Sequence, residues 1–235
     1  MKIFVISLPQ AMERRASITQ QMNKLELTYE FVDGVLIDSS RLKDTGYNER
    51  SRLLCYGYGL TCGEVGCFLA HREAWKKVIT QEYKCLILED DARVLRLDQS
   101  LIKILENSPY PLVRIAGIFE KRHKFIGSSS FAKYWGDPSG AAAYVLGPKE
   151  AKRLLEKSRR FYMAVDDFME ARHLHGINTY AFLPYPVRHA GIDTYIGDRS
   201  RPRLSVLERM RLALVRIPID FQKYLYRSAY YGIGR

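Results

Sequence analysis

Long apolar runs are missing from this chain of 235 residues: none approaches the roughly 18 residues that a membrane-spanning helix needs. Cysteine is scarce, with only Cys55, Cys62, Cys67 and Cys85, and no two form a Cys-x-x-Cys pair. That spacing excludes the usual structural zinc site. The N-terminus has no secretory pattern: its apolar stretch is only Ile3 to Ile6, followed by Pro9 and the charged Glu13-Arg14-Arg15. The expectation is a protein that stays where it is made, with reduced, mostly buried thiols. Internal repeats, low-complexity tracts and the signatures of helix-turn-helix, zinc-finger or RNP modules are absent too, which sets nucleic acid aside as a partner.

What is present fits a folded globular chain, with 47% hydrophobic and 27% charged residues. The net charge of +11 is unevenly spread. From Arg199 onward nine Lys/Arg face two acidic residues, so +7 of the +11 lies in this segment. The basic character therefore belongs to a C-terminal tail, and the boundary is expected at 1–198 and 199–235.

The opening reads as strand, helix, strand. Lys2 to Ile6 is a short apolar run, Ile18, Met22 and Leu25 recur at helical spacing, and Tyr29 to Val32 alternates before the turn at Asp33-Gly34. This β-α-β start predicts an α/β fold with parallel strands. Residues 35–60 read as irregular. Thr61-x-x-Glu64 is a capping box that starts a helix through Val78. Cys85 to Leu88 is an apolar strand, Gln99 to Glu106 a helix and Val113 to Phe119 a strand. Residues 120–140 read as loop. Ala141 to Leu146 is a strand, Pro148 to Lys157 a helix, and Thr179 to Leu183 the last strand. A short helix begins at Asp166 or Asp167.

The chemistry concentrates at Glu89-Asp90-Asp91, three carboxylates at the carboxyl end of a buried strand. Ligands bind at that end in open α/β sheets. Adjacent negative charges repel, and a hard divalent cation would relieve them. A solvated acidic turn is the other reading, and the residues alone leave both open.

Around this cluster the chain carries an ordered set of segments: Ser7-Leu8-Pro9 with Arg14-Arg15, Val32-Asp33-Gly34, the stretch from Thr61 through Gly63-Glu64-Val65-Gly66-Cys67 to His71, Glu89-Asp90-Asp91, Gly140 to Tyr144, and Val165-Asp166-Asp167. In this order they resemble glycosyltransferase family 25, the bacterial lipopolysaccharide and lipooligosaccharide galactosyltransferases and their collagen-modifying relatives. Ser7 stands where the family usually has Asn, and Ala70 where Ser usually precedes the His.

The resemblance implies a GT-A type, Rossmann-like nucleotide-sugar-binding domain and an inverting, metal-dependent transfer of a hexose, galactose above others, from a UDP-sugar to a lipopolysaccharide-type glycan acceptor. Glu89 and Asp91, with His189 as third ligand, would hold the divalent metal, Mn²⁺ in preference to Mg²⁺. Ser7, Leu8, Arg14, Arg15, Asp33, Gly34 and Asp90 would surround the donor. Asp166 is the expected base, with Asp167 as the second catalytic candidate and one of the pair capping the helix. His71 reads as a packed core histidine, and Tyr134 and Trp135 as acceptor-stacking or loop-packing rings.

The tail has its own pattern. On a helical wheel Leu207, Met210, Leu214, Ile217, Phe221 and Leu225 share one arc, and Arg209, Arg216, Lys223 and Arg227 another, with Pro218 expected to interrupt the helix. Such a helix suits an anionic membrane surface, giving an expected location in the cytoplasm, peripheral on the inner face of the cell membrane. The alternative is a basic membrane-associated or nucleic-acid-binding protein without catalysis.

Overall fold

A computed structural model of the chain describes residues 1–117, 122–134, 140–189 and 204–231. The elements are β1 (Lys2–Ser7), α1 (Met12–Lys24), β2 (Glu30–Asp33), α2 (Glu49–Tyr56), α3 (Cys62–Ile79), β3 (Cys85–Glu89), β4 (Ala92–Val94), α4 (Gln99–Glu106) and β5 (Leu112–Arg114). After them come β6 (His123–Phe125), β7 (Phe131–Tyr134), β8 (Ala143–Leu146), α5 (Pro148–Lys157), α6 (Val165–Glu170), α7 (Arg172–His175), β9 (Thr179–Phe182), β10 (Val187–His189) and α8 (Val206–Tyr231).

Eight strands form one sheet in the order β2-β1-β3-β8-β5-β9-β7-β6. β1 pairs in parallel with β2 and β3, as the opening pattern predicts. The sheet as a whole is mixed: β8 runs antiparallel to β3 and β5, and β7 antiparallel to β9 and β6. Side chains alternate across it with period two. Phe4, Ile87 and Tyr144 enter a core under α3, α5 and α6, while Ile3, Val5, Leu86, Leu88 and Val145 enter a second core on the opposite face. Burial on both faces is why these strands read as unbroken apolar runs.

Several sequence expectations need correction. Residues 35–60 are not irregular: a 3₁₀ helix spans Ser39–Thr45 and α2 follows. Asp38 and Asn48 cap them with side-chain oxygens, and Gly46 and Gly57 end them in the left-handed conformation. The stretch expected as loop contains the β6–β7 hairpin. The strand expected over Val113 to Phe119 spans only Leu112–Arg114 among the described residues. A further strand, β10, pairs with β4. Pro218 lies inside one unbroken helix. It is solvent-exposed, so water can take the carbonyl that loses its donor. The boundary expected at 198/199 lies outside the described residues.

His175 shows the cost of a closed core. It is fully buried, donates from Nε2 to the Phe168 carbonyl (3.0 Å), and accepts at Nδ1 from the Ile177 amide (3.1 Å). Burial pushes its pKa down to about 4, against backbone hydrogen bonds that raise it. The folded pKa lies below the unfolded one, so the unfolded chain takes up the proton first as pH falls. Stability is therefore expected to drop between pH 6.5 and 4 by about 2–3 kcal/mol from this residue, and no further below pH 4. Urea unfolding of wild type and His175→Asn across that range checks it: the variant must show the flatter pH dependence.

Candidate active site

The chain moves outward from β1 to β2, then crosses back over β1 to place β3 on its other side. This reversal makes a topological switch point between the carboxyl ends of β1 and β3, where α/β sheets bind ligands. A pocket lies there. Ser7, Leu8 and Arg14 line one wall, Gly34 to Leu36 another, Gly63, Gly66, Cys67 and Ala70 of α3 a third, and Glu89-Asp90-Asp91 the floor. The capping box that starts α3 is present, with the Glu64 amide donating to Thr61 Oγ1 (3.1 Å) and the Thr61 amide to Glu64 Oε2 (2.9 Å). Gly66 is required by close approach: a Cβ there would stand 2.3 Å from the Val35 carbonyl oxygen.

The three carboxylates leave the strand in three directions. The turn at Asp90-Asp91 breaks the extended run, and each acid meets a different partner. Glu89 Oε1 lies 3.0 Å from His71 Nε2. Asp90 accepts from Ser7 Oγ (2.6 Å) and from Arg14 (3.3 Å). Asp91 Oδ2 lies 3.0 Å from His189 Nε2, which β10 delivers through its pairing with β4. Arg15 does not line the pocket. Its guanidinium donates to the carbonyls of Ser7 (3.0 Å) and Leu8 (3.1 Å) and pairs with Asp33, tying the ends of β1 and β2 together. Gly34 donates its amide to the Ser7 carbonyl (2.8 Å).

His71 is the buried, hydrogen-bonded core histidine expected, and it also reaches Glu89. Trp75 Nε1, a donor only, donates to the Tyr144 hydroxyl (2.9 Å). The Tyr144 proton then goes to His71 Nδ1 (2.7 Å), leaving Nε2–H to donate to Glu89. Trp75, Tyr144 and His71 are each fully buried, so the relay runs through the core to the pocket floor. Burial opposes charge on Glu89, but the His71 hydrogen bond and neighbouring positive groups outweigh it and hold the carboxyl below its usual range.

Asp91 behaves oppositely. Burial, with the Glu89 charge beside it, pushes its pKa up to about 6, and His189 only partly offsets this. Its Oδ1 is buried and accepts no hydrogen bond. An anionic oxygen in that state fits a hard divalent cation. Among the described residues, the group whose ligand atoms gather within 4.8 Å is Cys67, His71 and Glu89, not Glu89, Asp91 and His189. The relay already places a proton on His71 Nε2, which disfavours metal at the first set.

Asp166 and Asp167 do not line this pocket. Neither is the helix cap: α6 starts at Val165 with Ala164 in the capping position. Asp166 is half-buried and accepts from the amides of Gly140 (3.4 Å) and Asp167 (2.9 Å). Gly140 leads to Ala142, whose carbonyl takes the Glu89 amide (2.8 Å), so Asp166 contacts the segment that pairs with the acidic end of β3. Asp167 is exposed. Tyr134 is buried and hydrogen-bonded to Tyr185 (2.6 Å), which makes it a packing ring, and Trp135 lies outside the described residues. Arg114, at the end of β5, escaped sequence reasoning. It is fully buried, donates to Glu170 (2.6 and 3.1 Å), and its charge acts on both Glu89 and Asp166. No motif marks it; only the strand end does.

Fold and site together define a Rossmann-like α/β domain with an acidic ligand pocket at its switch point. A family model described as "Glycosyltransferase family 25 (LPS biosynthesis protein)" matches residues 1–169. The chain belongs to glycosyltransferase family 25, and its domain is the mixed α/β arrangement described above. It is 27% identical over 231 residues to a glycosyltransferase 25 family member of Aedes aegypti, covering 83% of this chain and 37% of the relative. With human procollagen galactosyltransferase 2 it shares 33% identity over 118 residues, 45% of this chain and 18% of the relative. With the human inactive glycosyltransferase 25 family member 3 it shares 33% over 103 residues, 39% and 16%. The chain thus spans little more than a third of the length of the longest-matching of these relatives. A Drosophila β1,4-galactosyltransferase 7 solved with manganese, UDP-Gal and xylobiose aligns over 89% of this chain and 78% of its own at 10% identity and a TM-score of 0.42.

The relay makes a direct prediction. Tyr144→Phe leaves the Trp75 and His71 nitrogens unpaired in the core and is expected to cost about 1–3 kcal/mol. Chemical denaturation measures this; an unchanged midpoint would refute the relay's contribution to stability.

Proposed function

We propose that this chain is an inverting hexosyltransferase that moves galactose from UDP-galactose to a glycan acceptor of the lipopolysaccharide or lipooligosaccharide type, with Mn²⁺ in preference to Mg²⁺. The observation that carries the reading is the buried, unpartnered Asp91 Oδ1 in a pocket at the switch point. Family membership supports the chemistry, and the procollagen galactosyltransferase relative favours galactose.

In this reading Asp91 holds the metal, with Glu89 and His189 beside it. When bound, such an ion neutralises charge on the departing nucleoside diphosphate. Arg14 brings a positive charge to the pocket wall, and Asp90 fixes its position. Leu8 and Gly34 line the side of the pocket offered to the nucleoside. Asp166 takes the proton of the attacking acceptor hydroxyl. Its two amide donors hold the carboxylate in place.

A screen of UDP-sugars for metal-dependent hydrolysis tests the reading. Asp91→Asn should abolish turnover and weaken UDP binding only when metal is present. A folded variant with full activity would move the metal elsewhere. Asp166→Asn should keep UDP affinity and lower kcat by about 10²-fold or more. Unchanged kcat would transfer the role to Asp167. The second reading, a non-catalytic family member, is favoured by the inactive relative. It stands if the protein neither binds UDP with Mn²⁺ nor turns over any UDP-sugar.

A further inference from the structure

The amphipathic arc of α8 faces outward. Leu207 is 78% exposed, Leu214 68%, and Met210, Ile217 and Phe221 60% each, with Tyr224 and Leu225 continuing the row. At about 100° per residue these positions fill an arc roughly 100° wide. The other side of the helix does the docking. Leu204 and Leu212 close on Gly57, Arg216 lies over the Tyr56 ring, and Tyr230 is buried with its hydroxyl donating to the Thr179 carbonyl (2.8 Å). The helix is anchored along one side, and its most apolar row has no cover from its own chain among the described residues. No helix there is long and apolar enough to cross a membrane.

We infer that this row is a lipid-docking face, and that the surface it fits is an anionic bilayer. Charge selects the occupant. Arg211 stands exposed on one flank of the row, and Arg209 on the other. The segment from Arg199 carries +7. A second copy packed row to row would bring these like charges together, whereas an anionic headgroup layer neutralises them. Tyr224, exposed within the row, suits the depth where a ring is apolar at one end and wet at the other. The inference is independent of the catalytic reading: a non-catalytic family member with this helix would dock equally.

Sedimentation of the full chain with phosphatidylcholine vesicles, with and without phosphatidylglycerol, tests it. The vesicles contain no glycan acceptor, so capture reports the bilayer surface alone. Binding is expected to the phosphatidylglycerol vesicles at low salt, with release at high salt. Arg209→Gln with Arg211→Gln should weaken binding about 25-fold, about fivefold for each charge. Leu214→Ser, Ile217→Ser and Phe221→Ser together should weaken it more than tenfold at low salt. All five side chains are exposed, so circular dichroism and melting should match wild type. Hydrogen–deuterium exchange on wild type gives an independent reading: protection of residues 206–226 on phosphatidylglycerol vesicles only. Failure to sediment with those vesicles overturns the inference. So does a dimer that the triple serine variant converts to monomer while vesicle binding stays the same.

Discussion

Three carboxylates in a row at the end of a buried strand are the constraint around which this domain is arranged. Left together they would repel one another in a poorly solvated place. The fold separates them instead, giving Glu89 to a histidine of α3, Asp90 to a serine and an arginine from β1 and α1, and Asp91 to a histidine of β10. Each partner comes from a different part of the chain. Pinning all three acids therefore fixes how α1, α3 and β10 meet the sheet, and the pocket is the space that remains between them.

Neutralisation is unequal, and the inequality is where chemistry enters. Glu89 and Asp90 have their charges answered by donors. Asp91 keeps one oxygen buried and unanswered, and pays in a raised pKa. The tryptophan–tyrosine–histidine relay explains why Glu89 is not available to share that load: its near oxygen is held by a ring whose orientation is set two side chains deeper in the core. Close helix packing has the same origin. Only a glycine at position 66 lets α3 come near enough to the Val35 carbonyl for His71 to reach the strand end.

Much of this was legible in the residues. The apolar runs from Ile3 and Cys85 are strands buried on both faces, and the Thr61 capping box places α3 to within a residue. The acidic triplet located the pocket. What could not be read was pairing. Residues two apart, such as Glu89 and Asp91, share a side only in an extended segment, and a two-residue turn at Asp90-Asp91 sends them to different partners. Arg15 and Arg14 are neighbours in sequence, yet one ties backbone carbonyls while the other faces the pocket. The helices after Asp38 and Asn48 carry cap and glycine signals at both ends, but the stretch between them is polar and lacks an apolar helical period. Arg114 and Tyr144 sit in apolar strands, and nothing in the sequence shows that one reaches Glu170 and the other His71.

The β4–β10 ladder has a consequence for how the site comes into being. It joins residues about a hundred positions apart, Ala92 with His189, beside the most strained of the acids. Contacts of such sequence separation close late, after their loop entropy has been met by other structure. A ribosome-bound chain that has emerged only through α5 already contains the whole acidic triplet, but not the histidine that partners Asp91. The full set of partners around the acidic triplet thus assembles only once β10 has been made, and a shorter nascent chain carries the acids without the histidine that pairs with Asp91.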